Sequence, residues 1–122
     1  MNNSHKEVEE RLVVEQLRNG CEKSFKFLYN KYSGDIYAYS RSLLKSDANA
    51  QEIVQDVFMK LWINSENLDP ELSIKSYLFT IARNLSFNFL AKAANTKSLG
   101  EEIFNKSQKR SEEHTSELQS PL

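Results

Sequence analysis

Two phenylalanines and an arginine recur at four-residue intervals in an acid-free part of this 122-residue chain, as Phe79, Arg83 and Phe87. Residues four apart lie on one face of a helix. Rings stack with unstacked nucleobases and a guanidinium pairs with phosphate, so this face carries the groups that single-stranded nucleic acid requires. Asn84 adds an amide that can donate and accept toward a base edge. In the alternative interpretation, neighbouring helices bury nearly all of this helix and Arg83 snorkels to water.

A second candidate surface lies on residues 47–62, where the apolar positions form one stripe of an amphipathic helix. The stripe consists of Ala50, Ile53, Val54, Val57, Phe58 and Leu61. The opposite side mixes carboxylates and amides with large apolar groups: Gln51, Glu52, Gln55, Asp56, Met59, Lys60 and Trp62. Two interpretations stay open, an ordinary core helix with a solvated back and a helix that docks on another protein.

Residues suited to enzymatic chemistry do not form a recognisable set. The sequence has no Gly-rich phosphate loop, no metal-spaced Cys/His group and no Ser/His/Asp constellation. Cys21 is the single cysteine, and His5 and His114 lie in segments without helical periodicity. We therefore predict a protein that is not an enzyme and that needs no cofactor or metal.

Helices are the elements that must position these surfaces. The chain is 39% hydrophobic, with only three glycines and two prolines, and it lacks long β-branched alternating runs, which predicts one all-α domain. Apolar spacing predicts helices over residues 6–18, 22–44, 47–62 and 73–92. Asn19-Gly20 is expected to cap the first helix, Ser46 or Asp47 to begin the third, and Ser73 to begin the last.

Charge is distributed unevenly although the net charge is only −1. Residues 47–71 hold six acids and one base, Lys60, whereas residues 72–100 hold four bases and no acid. Opposite signs on neighbouring elements indicate that each element faces a different partner.

The N-terminal region has no apolar segment typical of a signal peptide, and its longest early apolar run is Leu12–Val14. We therefore expect a cytoplasmic protein without a membrane partner.

The C-terminal residues 96–122 are mostly polar and are expected to form a disordered tail. Within it, residues 110–120 look like the in-frame translation of a sequencing-adapter oligonucleotide, so we assign residues 110–122 no function. A genuine acidic low-complexity tail is the alternative.

Three segments together resemble the region-two domain of the small extracytoplasmic-function (ECF) sigma factors, members of the sigma-70 family of bacterial RNA polymerase subunits. The order and spacing of the segments make the resemblance more specific than any single helix pattern. It covers residues 10–95 and implies a compact bundle of three to four helices within a domain at 6–95. The segments are Phe25–Tyr32, Asp47–Trp62 and Ile74–Leu90.

The resemblance implies that the helix at 47–62 docks on the clamp helices of the largest subunit of core RNA polymerase. It also implies an anti-sigma factor as a further partner. The matching docking residues are Asp47, Gln51, Glu52, Gln55, Asp56, Met59 and Trp62.

The resemblance further implies that the loop before the last helix, together with that helix, melts the promoter minus-ten element and holds its non-template strand, with one base flipped into a pocket. The residues implied are Asn67, Leu68, Tyr77, Thr80 and Asn84, with Lys75, Arg83 and Lys92 near phosphates. Phe87 joins them from the aromatic face described above.

Two departures from the family pattern affect this expectation. Asn88 stands where an acid is common, and residues 91–94 replace a basic run, so DNA affinity through this helix is expected to be weaker. The second family domain, a helix-turn-helix called region 4, is expected to be absent from a truncated chain. The alternative function is a helical protein-interaction module that binds no nucleic acid.

Overall fold

The computed structural model describes the backbone of residues 2–106 and the side chains of residues 9–96. Over this range the chain forms four α-helices and one 3₁₀ turn, with no strand among the described residues, which confirms the predicted all-α bundle. The elements are α1 (Asn2–Arg18), α2 (Glu22–Leu44), α3 (Asp47–Ile63), the 3₁₀ turn (Ser65–Asn67) and α4 (Ile74–Lys106).

The turn between α1 and α2 is built on Gly20, whose φ of +87° lies in the left-handed region that favours glycine. The amide of Gly20 donates to the carbonyl of Leu17 at 2.8 Å, and the amide of Cys21 donates to that of Gln16 at 3.1 Å. These two bonds form a Schellman motif, so the predicted cap at Asn19-Gly20 is confirmed.

The corner between α2 and α3 is also tight. Lys45 adopts a left-handed φ of 58°, and its amide donates to the carbonyl of Arg41 at 2.8 Å. The Ser46 hydroxyl then accepts a 3.2 Å hydrogen bond from the amide of Asn49, which identifies Ser46 rather than Asp47 as the N-cap of α3. The short corner places α2 and α3 side by side.

The chain divides into a compact unit that ends at Ser86 and a second unit that begins at Phe87. The first unit contains the core, which all four helices supply. The fully or nearly buried apolar residues include Val14 and Leu17 of α1, Leu28, Tyr32 and Ile36 of α2, Ile53, Val57, Phe58 and Leu61 of α3, and Ile74, Leu78 and Ala82 of α4.

In the second unit, Phe87 and Leu90 are exposed, and so are residues 91–96. The helix α4 continues beyond the predicted domain boundary at residue 95 as far as Lys106. Residues 107–122, which include the adapter-like segment, lie outside the described residues, so the predicted tail and domain boundaries stay predictions. Among the described helices, none is long and apolar enough to span a bilayer.

Candidate nucleic-acid and docking surfaces

A cavity of about 740 Å³ opens beside the loop that joins α3 to α4. One wall comes from α1, a second from the loop and a third from the first two turns of α4. The lining residues are Val14, Asn64, Asn67, Leu68, Asp69, Leu72, Ser73, Ile74, Ser76, Tyr77, Thr80 and Ile81. A mostly apolar concave surface with a few polar groups is typical of a small-ligand or base-binding site.

Local hydrogen bonds hold the loop in shape. The amide of Leu68 donates to the carbonyl of Ser65 at 3.2 Å, and the Asp69 carboxylate accepts from the amide of Glu71 at 3.0 Å. The Ser73 hydroxyl accepts from the amide of Ser76 at 3.1 Å, so it caps α4 as predicted. Leu68, with only 7% of its surface exposed, anchors this loop in the core.

Tyr77 is the largest polar side chain in the cavity wall. Partial burial raises the pKa of its hydroxyl, and the nearby side chain of Asn64 opposes that rise as a hydrogen-bond donor. The Asn64 amide nitrogen also donates to the carbonyl of Lys60 at 3.1 Å, at the end of α3. The Tyr77 hydroxyl is therefore neutral near pH 7 and can donate to or accept from a ligand.

Asn64 was not among the predicted site residues, although an asparagine directly after a helical stripe is a usable signal for a C-terminal cap. The structure places it in the cavity wall.

Four of the nine predicted DNA-binding residues meet in the cavity wall: Asn67, Leu68, Tyr77 and Thr80. Three others, Lys75, Arg83 and Asn84, lie exposed on α4 outside that lining. Phe87 and Lys92 are exposed residues of the second unit. The structure thus groups the first four and leaves the rest along α4.

The predicted face of two phenylalanines around Arg83 is only partly open. The ring of Phe79 is half-buried against Tyr39 of α2, with centroids 5.6 Å apart in an edge-to-face arrangement. Phe87 is 46% exposed, and the Arg83 guanidinium donates to the Asn84 side-chain oxygen at 3.3 Å. Phe79 therefore helps to pack α4 on α2. The alternative in which neighbouring helices bury nearly all of α4 does not hold for exposed Phe87, whereas an exposed Arg83 agrees with both interpretations.

The outward face of α3 carries most of the predicted docking residues. Met59 is 57% exposed and Trp62 is 40% exposed. Asp56, three residues before Met59, is half-buried. Gln51, Glu52 and Gln55 are exposed along the same helix.

A cluster of aromatic rings from α2 packs against this end of α3. Phe25 contacts Trp62 edge-on, with centroids 5.5 Å apart, and Tyr29 contacts Phe58 at 4.9 Å. Tyr29 is itself 41% exposed. Tyr29 was not among the predicted docking residues, although its ring packs on Phe58 of α3 and stays partly exposed.

Asp47, the remaining predicted docking residue, already has partners within the chain. One carboxylate oxygen accepts a hydrogen bond from the Tyr37 hydroxyl and another from Nε of Arg41, both at 2.6 Å. These two donors hold the pKa of Asp47 below its usual range. Asp47 thus joins α2 to α3, and its assignment to docking stays a prediction.

A second polar cluster joins α1 to α2. The Glu10 carboxylate accepts a 2.5 Å hydrogen bond from the Tyr32 hydroxyl and forms an ion pair with Lys31. Burial, and then the bond to Glu10, raise the pKa of Tyr32. Among residues whose side chains are described, no group of three or more potential ligands forms a metal site.

Comparison with known proteins agrees with this architecture. The family model described as sigma-70 region 2 matches residues 28–96. Two curated relatives from Bacillus subtilis (strain 168) are similar to the chain. The ECF RNA polymerase sigma factor SigM is 25% identical over 76 residues, which is 62% of this chain and 46% of SigM. The factor SigW is 24% identical over 79 residues, 65% of this chain and 42% of SigW. The match thus spans less than half the length of either relative.

A solved structure shares the fold. It is the NMR structure of an engineered region 2 of sigmaE in complex with GTAAAA, with a TM-score of 0.64 and 22% sequence identity. The similarity covers 71% of this chain and 90% of that chain.

Proposed function

We propose a function from the premise that this chain belongs to the sigma-70 region 2 family, whose model matches more than half of it. The chain docks on core RNA polymerase and recognises and melts the minus-ten element of a promoter. It works by binding alone, and it acts in the cytoplasm where the polymerase and the chromosome are. Its relatives SigM and SigW carry the name RNA polymerase sigma factor, which supports this proposal.

The observation that carries the DNA part of the proposal is the cavity that gathers Asn67, Leu68, Tyr77 and Thr80. Residues that a family resemblance selected from the sequence meet around one concave space. Its volume of about 740 Å³ exceeds that of one nucleobase, and its Tyr77 ring and apolar side chains suit a base taken out of the stack.

The surface around α4 supports the same proposal electrostatically. Lys75 and Arg83 are exposed in a segment, residues 72–100, that contains no acid. Cations beside a base-binding cavity can pair with the phosphates that flank a captured base. The side chains that recognise the base would lie in the cavity, and the cations that hold the DNA backbone, Lys75 and Arg83, would lie outside it.

The polymerase contact is assigned to the outward face of α3. Exposed Met59 and Trp62 beside the polar Gln55 and Asp56 give an apolar centre with a polar border, as in many protein interfaces. The ring contact between Phe25 and Trp62 fixes the indole before binding, which lowers the entropy that docking must overcome.

The second candidate is a helical interaction module that binds a protein partner, such as an anti-sigma factor, without nucleic acid. The exposed apolar face of Tyr29, Met59 and Trp62 supports this function equally well. The two candidates differ in their dependence on α4. Under the sigma-factor proposal, Arg83→Ala and Asn84→Ala abolish promoter opening and spare polymerase binding, whereas unchanged opening would favour the interaction module.

The testing experiment is a pull-down of the purified chain with core RNA polymerase. The double variant Gln55→Ala/Asp56→Ala removes an amide and a carboxylate from the proposed interface. The matched control Asn30→Ala/Asp35→Ala removes the same two groups from exposed positions on α2. We expect wild type and control to bind and the first variant to lose at least tenfold in affinity. Equal binding by all three would refute docking through α3.

A further inference from the structure

The cavity wall includes Val14, a residue of α1, although the matched family region begins only at residue 28. Val14 is only 2% exposed, so its side chain is packed within the unit and borders the cavity at the same time. A residue outside the segment matched by the family model therefore borders the space where the proposed function places a base.

Polar contacts connect α1 to two neighbouring elements. Glu10 and Arg11 are adjacent in sequence, but they contact different elements. Glu10 binds Tyr32 and Lys31 on α2, while Arg11 lies 3.8 Å from Glu71 in the loop. The Glu10 contacts join α1 to α2, and the exposed Arg11–Glu71 pair lies between α1 and the loop that forms the second wall.

We propose that α1 forms one wall of the base-binding site, with Val14 at the point where this wall borders the space of a captured nucleobase. This inference rests on the proposed function, because it takes an unstacked base as the ligand of the cavity. The Val14 side chain limits the space available to the base at the wall that α1 forms. Size selection at this site therefore depends on α1 as well as on the loop.

Two adjacent valines allow a matched test. Val14 lines the cavity, whereas Val13 is half-buried on the same helix and does not line it. Val14→Leu adds one methylene at a buried position that lines the cavity, and Val13→Leu makes the same chemical change outside it. Because an added methylene can overpack a buried site, the amide NMR spectra of both variants serve to check the fold, and the wild-type titration tests the contact without any substitution.

The probe is a single-stranded DNA hexanucleotide pool with all positions randomised, added at low salt to the isotope-labelled full chain. In wild type, we expect the methyl signals of Val14 to shift on titration and those of Val13 to stay in place. We expect Val14→Leu to weaken binding at least fivefold and Val13→Leu to change it less than twofold.

The outcomes separate the two proposals. Wild-type binding that shifts Tyr77 and Leu68 but leaves the Val14 methyls unmoved would overturn the role of α1 and keep the proposed function. Equal affinity of Val14→Leu and Val13→Leu for the hexanucleotide pool would also overturn the role of α1 and keep the proposed function. A wild-type chain that binds core polymerase but shows no shift of any cavity residue would overturn base capture itself, and this inference with it.

Discussion

The carboxylate of Asp47, at the first position of α3, accepts a 2.6 Å hydrogen bond from Nε of Arg41 in the last turn of α2. The same oxygen accepts from the Tyr37 hydroxyl. The two helices are thus joined directly at the corner where Lys45 adopts its left-handed conformation.

This contact predicts an acid-sensitive contribution to stability. The hydrogen bonds from Tyr37 and Arg41 lower the pKa of Asp47 in the folded chain, so the contribution is present above about pH 4 and is lost as pH falls through the folded pKa. Thermal unfolding should show Asp47→Asn melting below wild type at pH 7. At pH 2 the two melting temperatures should converge. Glu52→Gln, at an exposed position of the same helix, is the control and should match wild type at both pH values.

The buried Tyr32 predicts the opposite dependence at high pH. Burial and the Glu10 carboxylate raise its pKa, so the unfolded chain loses this proton first and unfolding becomes easier above about pH 10. We expect the melting temperature of wild type to fall more steeply between pH 9 and pH 11 than that of Tyr32→Phe, as measured by circular dichroism. Tyr29→Phe is the control. If it reduced the pH dependence of the melting temperature as much as Tyr32→Phe does, the attribution of that dependence to Tyr32 would be wrong.

Leu68 and Leu72 line one cavity but should differ in their effect on stability. Leu68 is 7% exposed and Leu72 is 68% exposed. We therefore expect Leu68→Ala to lower the free energy of unfolding by about 2–4 kcal/mol, because it leaves a hole in the core. Leu72→Ala should change it by less than about 0.5 kcal/mol. Urea denaturation of the two variants measures the difference, and equal losses would refute the anchoring role of Leu68.

Trp62 and Ile63 form a matched pair at the end of α3. Both are exposed, but only Trp62 belongs to the ring cluster with Phe25. We expect Trp62→Ala to weaken binding of core polymerase at least tenfold, since aromatic residues at the centre of an interface contribute most of its free energy. Ile63→Ala should stay within threefold. Pull-down or surface plasmon resonance with immobilised polymerase gives both values.

Lys75 is expected to contact phosphate rather than bases. Its replacement by Ala should weaken single-stranded DNA binding similarly for every sequence and reduce the salt slope by about 0.7. Lys26→Ala, at an exposed position on α2, serves as the control for total charge. A sequence-dependent loss in Lys75→Ala would place this residue at a base edge instead.

Much of the fold was predictable because local rules act on neighbouring residues. The apolar spacing from Ala50 to Leu61 predicts the buried side of α3, and all six of these stripe residues are buried. The glycine at position 20 and the serine at position 73 predict helix ends from their own backbone and side-chain properties.

Predictions that depended on which helices touch each other were less complete. The spacing of Phe79, Arg83 and Phe87 defines a face of α4, but it does not reveal that Tyr39 covers Phe79. In the same way, the sequence pattern did not place Tyr29 in the docking surface, whereas the structure packs its ring on Phe58 of α3 and leaves 41% of it exposed.

By itself the sequence determined four helices, their caps, their buried stripes and the resemblance to sigma-70 region 2, because spacing and local hydrogen bonding are encoded within a few residues. Only the tertiary structure decided that Asn67, Leu68, Tyr77 and Thr80 share one cavity with Val14 of α1. It also decided that Asp47 is bound by Tyr37 and Arg41. These relationships join residues from different helices, and the packing of the helices brings them together, which no local pattern specifies.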